Sequence, residues 1–229
     1  MKNISGESKR SNLKNNIIKS ISEELDLPII NWDILHSNNN VNKYMFSYES
    51  VIETIDGQDQ NVSLEISLVL PSFPSHNCQL TNYIFKYKSY LSNIDISEYE
   101  LSPFIINCQA MERTFIDKIF AICDYYLLDK STRLSRHLYD IHKLFSVIDK
   151  DNILSLIKKV QALRSKIGLC PSAKPTVSIN ELLNRIIDSD YYKKDYKNVT
   201  TNLIYDNTTY DECIETIKKI SNAFSFPII

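Results

Sequence analysis

Four of the charged side chains in one short stretch, Met111–Leu144, are of types and at spacings that can pair with anions or with one another. They are Arg113, Lys118, Arg136 and Asp140. Arg136 and Asp140 are four residues apart, so on a helix they lie on one face. An exposed pair of this kind stabilises a helix by only about 0.2–0.5 kcal/mol. Spacing alone therefore favours an ordinary solvated face over a functional site.

Two amphipathic helices are needed to position these charges. The apolar residues that recur at helical spacing are Phe115, Ile119, Ile122, Cys123 and Tyr126 in the first half, and Leu134, Leu138, Ile141 and Phe145 in the second. Each pattern predicts a helix with one buried face. Arg113 and Lys118 lie off the first apolar stripe, where a polar partner can reach them.

The residues of these two segments resemble a known family. ERTFIDK, residues 112–118, is followed by SRHLYDIHKL, residues 135–144. The pair is similar to the nucleotidyltransferase family of AbiEii/AbiGii toxins, in which a segment like ERTF-x-x-K precedes R-H/D-x-Y-D-x-x-x-L. In that family the lysine meets the nucleotide phosphates, and the Arg–Asp helix lines the same cleft. The resemblance implies nucleotide contacts from Lys118 and Arg136 with support from Arg113, and catalytic roles for Lys118 and Asp140.

A further carboxylate, Glu65, stands on the polar side of a predicted strand. Val62, Leu64, Ile66 and Leu68 alternate with polar residues, so Glu65 faces away from the apolar side. An ordinary solvent-facing glutamate is the simplest interpretation. The resemblance adds a second one, because related nucleotidyltransferases present a third carboxylate to the cleft from such a strand. Glu65 is then a candidate to contact the metal or to activate the nucleophile.

One part of the family's pattern is missing from this sequence. The family's catalytic lobe carries a Gly-Ser turn and then an Asp-x-Asp pair, which hold the triphosphate and its divalent metal. None of the three glycines, Gly6, Gly57 and Gly168, precedes a serine. Asp188-Ser189-Asp190 has the right order but follows a predicted helix, which indicates a loop or cap. A shortened member, half of a split enzyme and a diverged relative without catalysis all remain open.

For a complete member, the resemblance implies a specific reaction. A nucleoside monophosphate is transferred from an NTP, with Mg²⁺, to the 3′ end of a tRNA or to a protein hydroxyl. It also implies a cognate antitoxin as partner. Two hypotheses follow for this chain: a nucleotidyltransferase toxin, or a non-catalytic nucleotide- or partner-binding domain of the same ancestry.

Composition narrows the class of protein. The chain has 229 residues and a net charge of −2, so no general polyanion-binding surface is expected. Its five cysteines are odd in number and too widely spaced for a zinc site. The N-terminus lacks the apolar segment of a secretory signal, and no apolar run is long enough for a membrane span. These features predict a cytoplasmic protein with no membrane contact.

Periodicity predicts an α+β fold, with a nucleotidyltransferase-like partial sheet in the N-terminal part and a mostly helical C-terminal part. The predicted elements outside the charged stretch are a helix at Lys9–Leu25, a β-hairpin or meander over about 42–70 with a turn at Asp56-Gly57, a helix at Leu80–Leu91, a strand at Phe104–Cys108, and helices over 153–167, 179–187 and 211–224. Pro71 and Pro74 should end the strand region. We place the boundary so that residues 1–110 are the remnant of an α/β lobe and residues 111–229 a helical lobe.

Overall fold

A computed structural model describes most of the chain. The described residues are 7–33, 41–49, 61–67, 73–87, 101–151, 153–168, 170–224 and 226. The chain divides into two compact units, Met1–Pro71 and Ser72–Ile229, and each is considered by itself. The predicted lobe boundary at residues 110 and 111 falls inside the second unit.

Within the described residues the fold is α+β, as predicted from the sequence. The first unit contains α1 (Glu7–Leu25), β1 (Val41–Ser47) and β2 (Asn61–Ser67). The second contains β3 (Ser75–Leu80), α2 (Tyr83–Tyr87), β4 (Phe104–Gln109), α3 (Met111–Leu127), α4 (Arg136–Phe145), α5 (Ile153–Arg164), α6 (Ile179–Asp188), α7 (Lys193–Asn198) and α8 (Tyr210–Ala223). Short 3₁₀ turns lie at Pro171–Ala173 and Thr200–Asn202. None of the helices in the described ranges combines the length and the apolarity that crossing a membrane requires.

The first unit confirms the predicted hairpin and the helix before it. β1 and β2 pair antiparallel, with Tyr44 opposite Leu64 and Lys43 opposite Glu65. Tyr44 and Phe46 lie on the same face of β1, because alternate residues of a strand share one face. Both are buried and pack with Ile18 of α1. The predicted turn at residues 56–57 lies outside the described residues.

The second unit contains a strand that the sequence did not predict. β3 begins directly after Pro74 and pairs antiparallel with β4, so that Cys78 lies opposite Ile106. The expectation that prolines 71 and 74 end the strand region was therefore wrong. The predicted strand at 104–108 is confirmed by β4, whereas the helix predicted from Leu80 is described only as the short α2. SHNCQL has little apolar alternation, and pairing with β4 selects its extended conformation.

A helical core surrounds α3, which packs against α4, α5 and α6, while α8 packs against α4 and α6. Ring contacts join α3 and α4 to Phe224, the residue that follows α8. Phe115 stacks on Phe145 at 6.1 Å between ring centroids, and both meet Phe224 edge-on. The helices predicted over 153–167, 179–187 and 211–224 are confirmed by α5, α6 and α8. Their apolar stripes form one continuous buried cluster with the core face of α3.

The start of α4 is held by one carboxylate, that of Asp195 in α7. It accepts hydrogen bonds from three consecutive backbone N–H groups, those of Arg133, Leu134 and Ser135, at 2.8, 3.2 and 3.0 Å. The Ser135 hydroxyl adds a fourth bond at 2.6 Å. Arg133 has a φ of 61°, a left-handed conformation that side chains rarely adopt. The carboxylate thus stabilises a strained turn that sets where α4 begins.

Asp195→Ala is expected to destabilise the protein, because three backbone donors and a hydroxyl lose their acceptor. The loss in unfolding free energy should be about 1–3 kcal/mol, the cost of leaving such groups unsatisfied. Urea denaturation followed by circular dichroism would measure it. Asp188→Ala, at an exposed carboxylate, is the matched control and should change stability by no more than about 0.5 kcal/mol. Equal midpoints for the two variants would contradict this role.

Candidate active site on α3 and α4

Lys118 and Asp140 form an ion pair between α3 and α4. The Lys118 Nζ lies 2.8 Å from the Asp140 Oδ2, and the two side chains are 28% and 36% exposed. Among the described residues, Asp140 therefore pairs across the helix interface, and Arg136 begins α4 with an exposed side chain. The structure brings together two of the residues that the sequence singled out, Lys118 and Asp140.

His137 completes this group, and the sequence analysis did not predict it. Its Nδ1 lies 3.0 Å from the Lys118 Nζ and 3.5 Å from the Asp140 Oδ2. Its ring stacks on Tyr125, with centroids 5.8 Å apart and ring planes 12° apart. Lys118 and Tyr125 are seven residues apart on α3 and so lie on one face. The sequence signal that could have indicated His137 was this seven-residue spacing, together with the position of a histidine three residues before Asp140.

The electrostatics of the group make Asp140 a carboxylate rather than a proton shuttle. Burial raises the pKa of Asp140, the hydrogen bond and the positive charge of Lys118 lower it, and the net pKa lies below the ordinary value. A general base works best when its pKa is near the working pH. Asp140 is thus poorly suited to taking a proton at neutral pH and well suited to holding the Lys118 ammonium.

Arg113 lies on a different face of α3. Its side chain is fully buried, its Nε donates to the Asp117 Oδ2 at 2.8 Å, and its Nη1 donates to the Phe73 carbonyl at 2.9 Å. Five residues separate Arg113 from Lys118, which turns their side chains about 140° apart on a helix. The structure therefore places Arg113 in the packing of α3 rather than beside the Lys118 group.

A buried ionic network extends from Arg113 along α3. Arg164 of α5 donates to the Asp117 Oδ1 at 3.1 Å and to the Asp124 Oδ2 at 2.8 Å. The other oxygen of Asp124 accepts from the backbone N–H and the hydroxyl of Ser172, at 2.8 and 2.6 Å. These contacts tie α3 to α5 and to a 3₁₀ turn. Their role is to position the helix that carries Lys118.

Glu65 is exposed on β2, directly opposite Lys43 of β1. It lies in the first unit, on the side of the hairpin that faces away from Tyr44 and Phe46, as the alternation predicted.

The second unit contains two cavities of about 400 and 390 Å³. The first is lined by residues such as Glu112, Asp149 and Lys159, and the second by residues such as Asp206 and Tyr210. Neither of these two cavities is lined by Lys118, His137 or Asp140.

The acidic and histidine side chains of the described residues do not converge on a divalent metal site. Over the part of the chain that the structure describes, no group of three or more His, Cys, Asp and Glu side chains could hold a metal ion. Glu65 supplies a single carboxylate, and Mg²⁺ prefers carboxylate, phosphate and water oxygens in octahedral geometry. The described residues therefore do not make up a metal centre.

The Asp140 carboxylate should contribute to stability in a pH-dependent way. Because its pKa is lowered in the folded protein, its stabilising effect is present above the ordinary value of 3.8 and is lost as the pH falls through the lower, folded value. In Asp140→Asn this part of the acid destabilisation should disappear. Urea midpoints at pH 6, 5, 4 and 3 would show a shallower decline than in the unsubstituted protein. Asp188→Asn should keep the original slope; the same slope in both variants would count against the pairing.

Comparison with known protein families identifies the chain. The sequence model of one family, described as nucleotidyl transferase AbiEii toxin of type IV toxin–antitoxin systems, matches residues 5–216. That range includes Glu65 and the whole Lys118, His137 and Asp140 group. Comparisons with curated proteins and with solved structures gave no significant match. With nearly its whole length matched, and with its two motif segments folded into α3 and α4, the chain belongs to the nucleotidyl transferase AbiEii toxin family.

Proposed function

We propose that the protein transfers a nucleoside monophosphate from an NTP to an acceptor, either the 3′ end of a tRNA or a protein hydroxyl, as the toxin of a toxin–antitoxin pair. The observation that carries the proposal is the Lys118–Asp140 ion pair at the meeting of α3 and α4, in a chain of this family. A cognate antitoxin is the expected partner.

Lys118 would contact the phosphates of the nucleotide. Its ammonium is a point charge with three N–H donors on a partly exposed side chain. Phosphoryl and nucleotidyl transfers depend chiefly on positioning and on stabilising the negative charge that develops on phosphate oxygens. An ammonium already fixed by Asp140 can act on that charge without first reorganising.

Asp140 and the two arginines would support this contact in different ways. Asp140, with its lowered pKa, keeps a negative charge beside Lys118 and holds that side chain in place. Arg136, exposed in the first turn of α4, is free to meet an anionic substrate or acceptor, and the N-terminal end of a helix favours anions. Arg113, being buried, would act through the position of α3.

Glu65 is proposed as a carboxylate that assists the acceptor. Two features support this proposal. Glu65 is exposed on a strand of the first unit, and related nucleotidyltransferases present a carboxylate to the cleft from such a strand. Lys43 lies opposite it in the ladder, and an exposed cross-strand pair of opposite charge contributes little to stability. A change at Glu65 can therefore test function with little effect on the fold.

The decisive experiment for Lys118 is transfer of label. The protein would be incubated with each labelled NTP, Mg²⁺ and either total tRNA or a protein acceptor. Lys118→Ala should reduce transfer by roughly 10²–10³-fold, the effect of removing one transition-state donor. Lys143→Ala is the matched control, because Lys143 of α4 also pairs with an aspartate, Asp206 at 2.7 Å, outside the proposed site.

Each outcome of that experiment has a distinct meaning. Full activity in Lys118→Ala would contradict the assignment of Lys118. Nucleotide binding without transfer to either acceptor would favour the second hypothesis, a non-catalytic nucleotide-binding domain of the same ancestry. If the protein neither binds nucleotide nor transfers it, the partner-binding form of that hypothesis would remain.

Glu65→Gln should lower the transfer rate while leaving thermal stability unchanged, since the substitution removes charge and keeps shape at an exposed position. The rate would be compared with that of Glu24→Gln, a change at an exposed glutamate of α1 in the same unit. Equal rates for the two variants would assign Glu65 to the ordinary solvated surface.

A further inference from the structure

We infer that His137 is the positioning residue that aims Lys118, acting as a hydrogen-bond acceptor through its Nδ1. This inference rests on the proposed function, because it concerns the lysine that would contact the nucleotide. It assigns a role to a residue that neither periodicity nor the Arg136–Asp140 spacing indicated.

The first argument is the chemistry of the contact. An ammonium can only donate hydrogen bonds, so a nitrogen 3.0 Å from the Lys118 Nζ must present a lone pair to it. His137 Nδ1 is then unprotonated, and a neutral ring carries its proton on Nε2. A proton on Nδ1 would instead set donor against donor at this distance.

The distance to Asp140 agrees with this assignment. His137 Nδ1 and Asp140 Oδ2 are 3.5 Å apart, which is too long for a good hydrogen bond. It is the separation expected of two acceptors that converge on one ammonium between them. Within the described residues these two atoms take two of the three N–H bonds of Lys118. The third N–H is directed by them, on a side chain that is 28% exposed.

The second argument is how firmly the ring is placed. His137 is largely buried, and its face stacks on Tyr125 while its edge meets Lys118. Both partners lie on the same face of α3, so the ring is fixed at two points of one helix. The charged and titratable groups that meet it are Lys118 and Tyr125 from α3 and Asp140 from α4. Because the stacking on Tyr125 also fixes the ring, the ring can orient the Lys118 side chain.

Two substitutions separate the acceptor from the ring. In His137→Asn the amide oxygen can occupy the position of Nδ1, whereas His137→Gln moves the amide one bond further out. The reactivity of Lys118 toward an acetylating N-hydroxysuccinimide ester, followed by mass spectrometry, reports how well its amine is held. Lys143 and Lys193, each paired with an aspartate, serve as internal controls for intact folding.

Without nucleotide, Lys118 should be acetylated about 3- to 10-fold faster in His137→Gln than in the unsubstituted protein. This is the change in rate that loss of one ordinary hydrogen bond produces. His137→Asn should stay within about 2-fold, as its retained acceptor predicts. Equal acceleration in both variants would show that ring shape rather than the acceptor matters, and no acceleration in either would also overturn the inference.

Nucleotide separates this inference from the proposed function. ATP, CTP, GTP or UTP with Mg²⁺ should protect Lys118 from acetylation, and His137→Gln should need about 10-fold more nucleotide than the unsubstituted protein or His137→Asn, in line with a lost hydrogen bond. If none of the four protects Lys118 in the unsubstituted protein, the proposed function fails, while the variants measured without nucleotide still decide the role of His137.

A measurement on the unsubstituted protein decides the matter if either variant fails to fold. Nitrogen-15 NMR of the imidazole rings distinguishes a protonated from an unprotonated Nδ1. His137 should show an unprotonated Nδ1 whose signal shifts in Lys118→Met. His142, whose Nδ1 lies 2.8 Å from the Thr216 hydroxyl on the same helix, should not respond to that change. A proton found on the Nδ1 of His137 would overturn the inference.

Discussion

The carboxylates of Asp117, which is partly buried, and of Asp124, which is buried, hold α3 against α5. They are seven residues apart on one face, and both pair with Arg164 of α5. Removing one partner from a buried ion pair such as Arg164–Asp124 costs about 3–5 kcal/mol, because the other charge then lacks compensation. α3 therefore cannot slide or rotate against α5 without leaving a charge unpaired. Arg113, which also pairs with Asp117, adds the same constraint at the start of the helix.

Lys118 benefits from this rigidity because it directly follows Asp117 in the chain. One residue along a helix is a rotation of about 100°, so the buried network on one face determines where the neighbouring face points. The other half of the site comes from α4, whose first turn is fixed by Asp195. Lys118 and Asp140 thus meet because two separate carboxylate contacts hold their helices, and their own ion pair, being partly exposed, stabilises the fold little.

Periodicity predicted the parts of this fold that bury one continuous face. The hairpin of β1 and β2 and the helices α1, α3, α4, α5, α6 and α8 all follow apolar repeats of two or about 3.6 residues. β3 could not be predicted in this way, since its sequence has no such repeat and its conformation depends on β4, 24 or more residues later. Lys14 is a similar case: it is buried on α1, and its Nζ donates to the Asn42 side chain at 2.9 Å, a partner that no local pattern reveals.

The same limit applies to the site, and it explains why charge spacing alone was a poor guide. Arg136 and Asp140 share a helix face by spacing, yet in the structure Asp140 meets Lys118 of another helix. Arg113 and Lys118 look equivalent as cations off one apolar stripe, yet one is buried against Asp117 and the other is exposed beside Asp140. Arg113 and Lys118 differ in the hydrogen-bond acceptors that surround their side chains. The Arg113 guanidinium is anchored by the Asp117 carboxylate and the Phe73 carbonyl, whereas Lys118 is held from one side and faces solvent on the other. In the proposed function, a phosphate would therefore meet Lys118 without displacing Asp140 or His137.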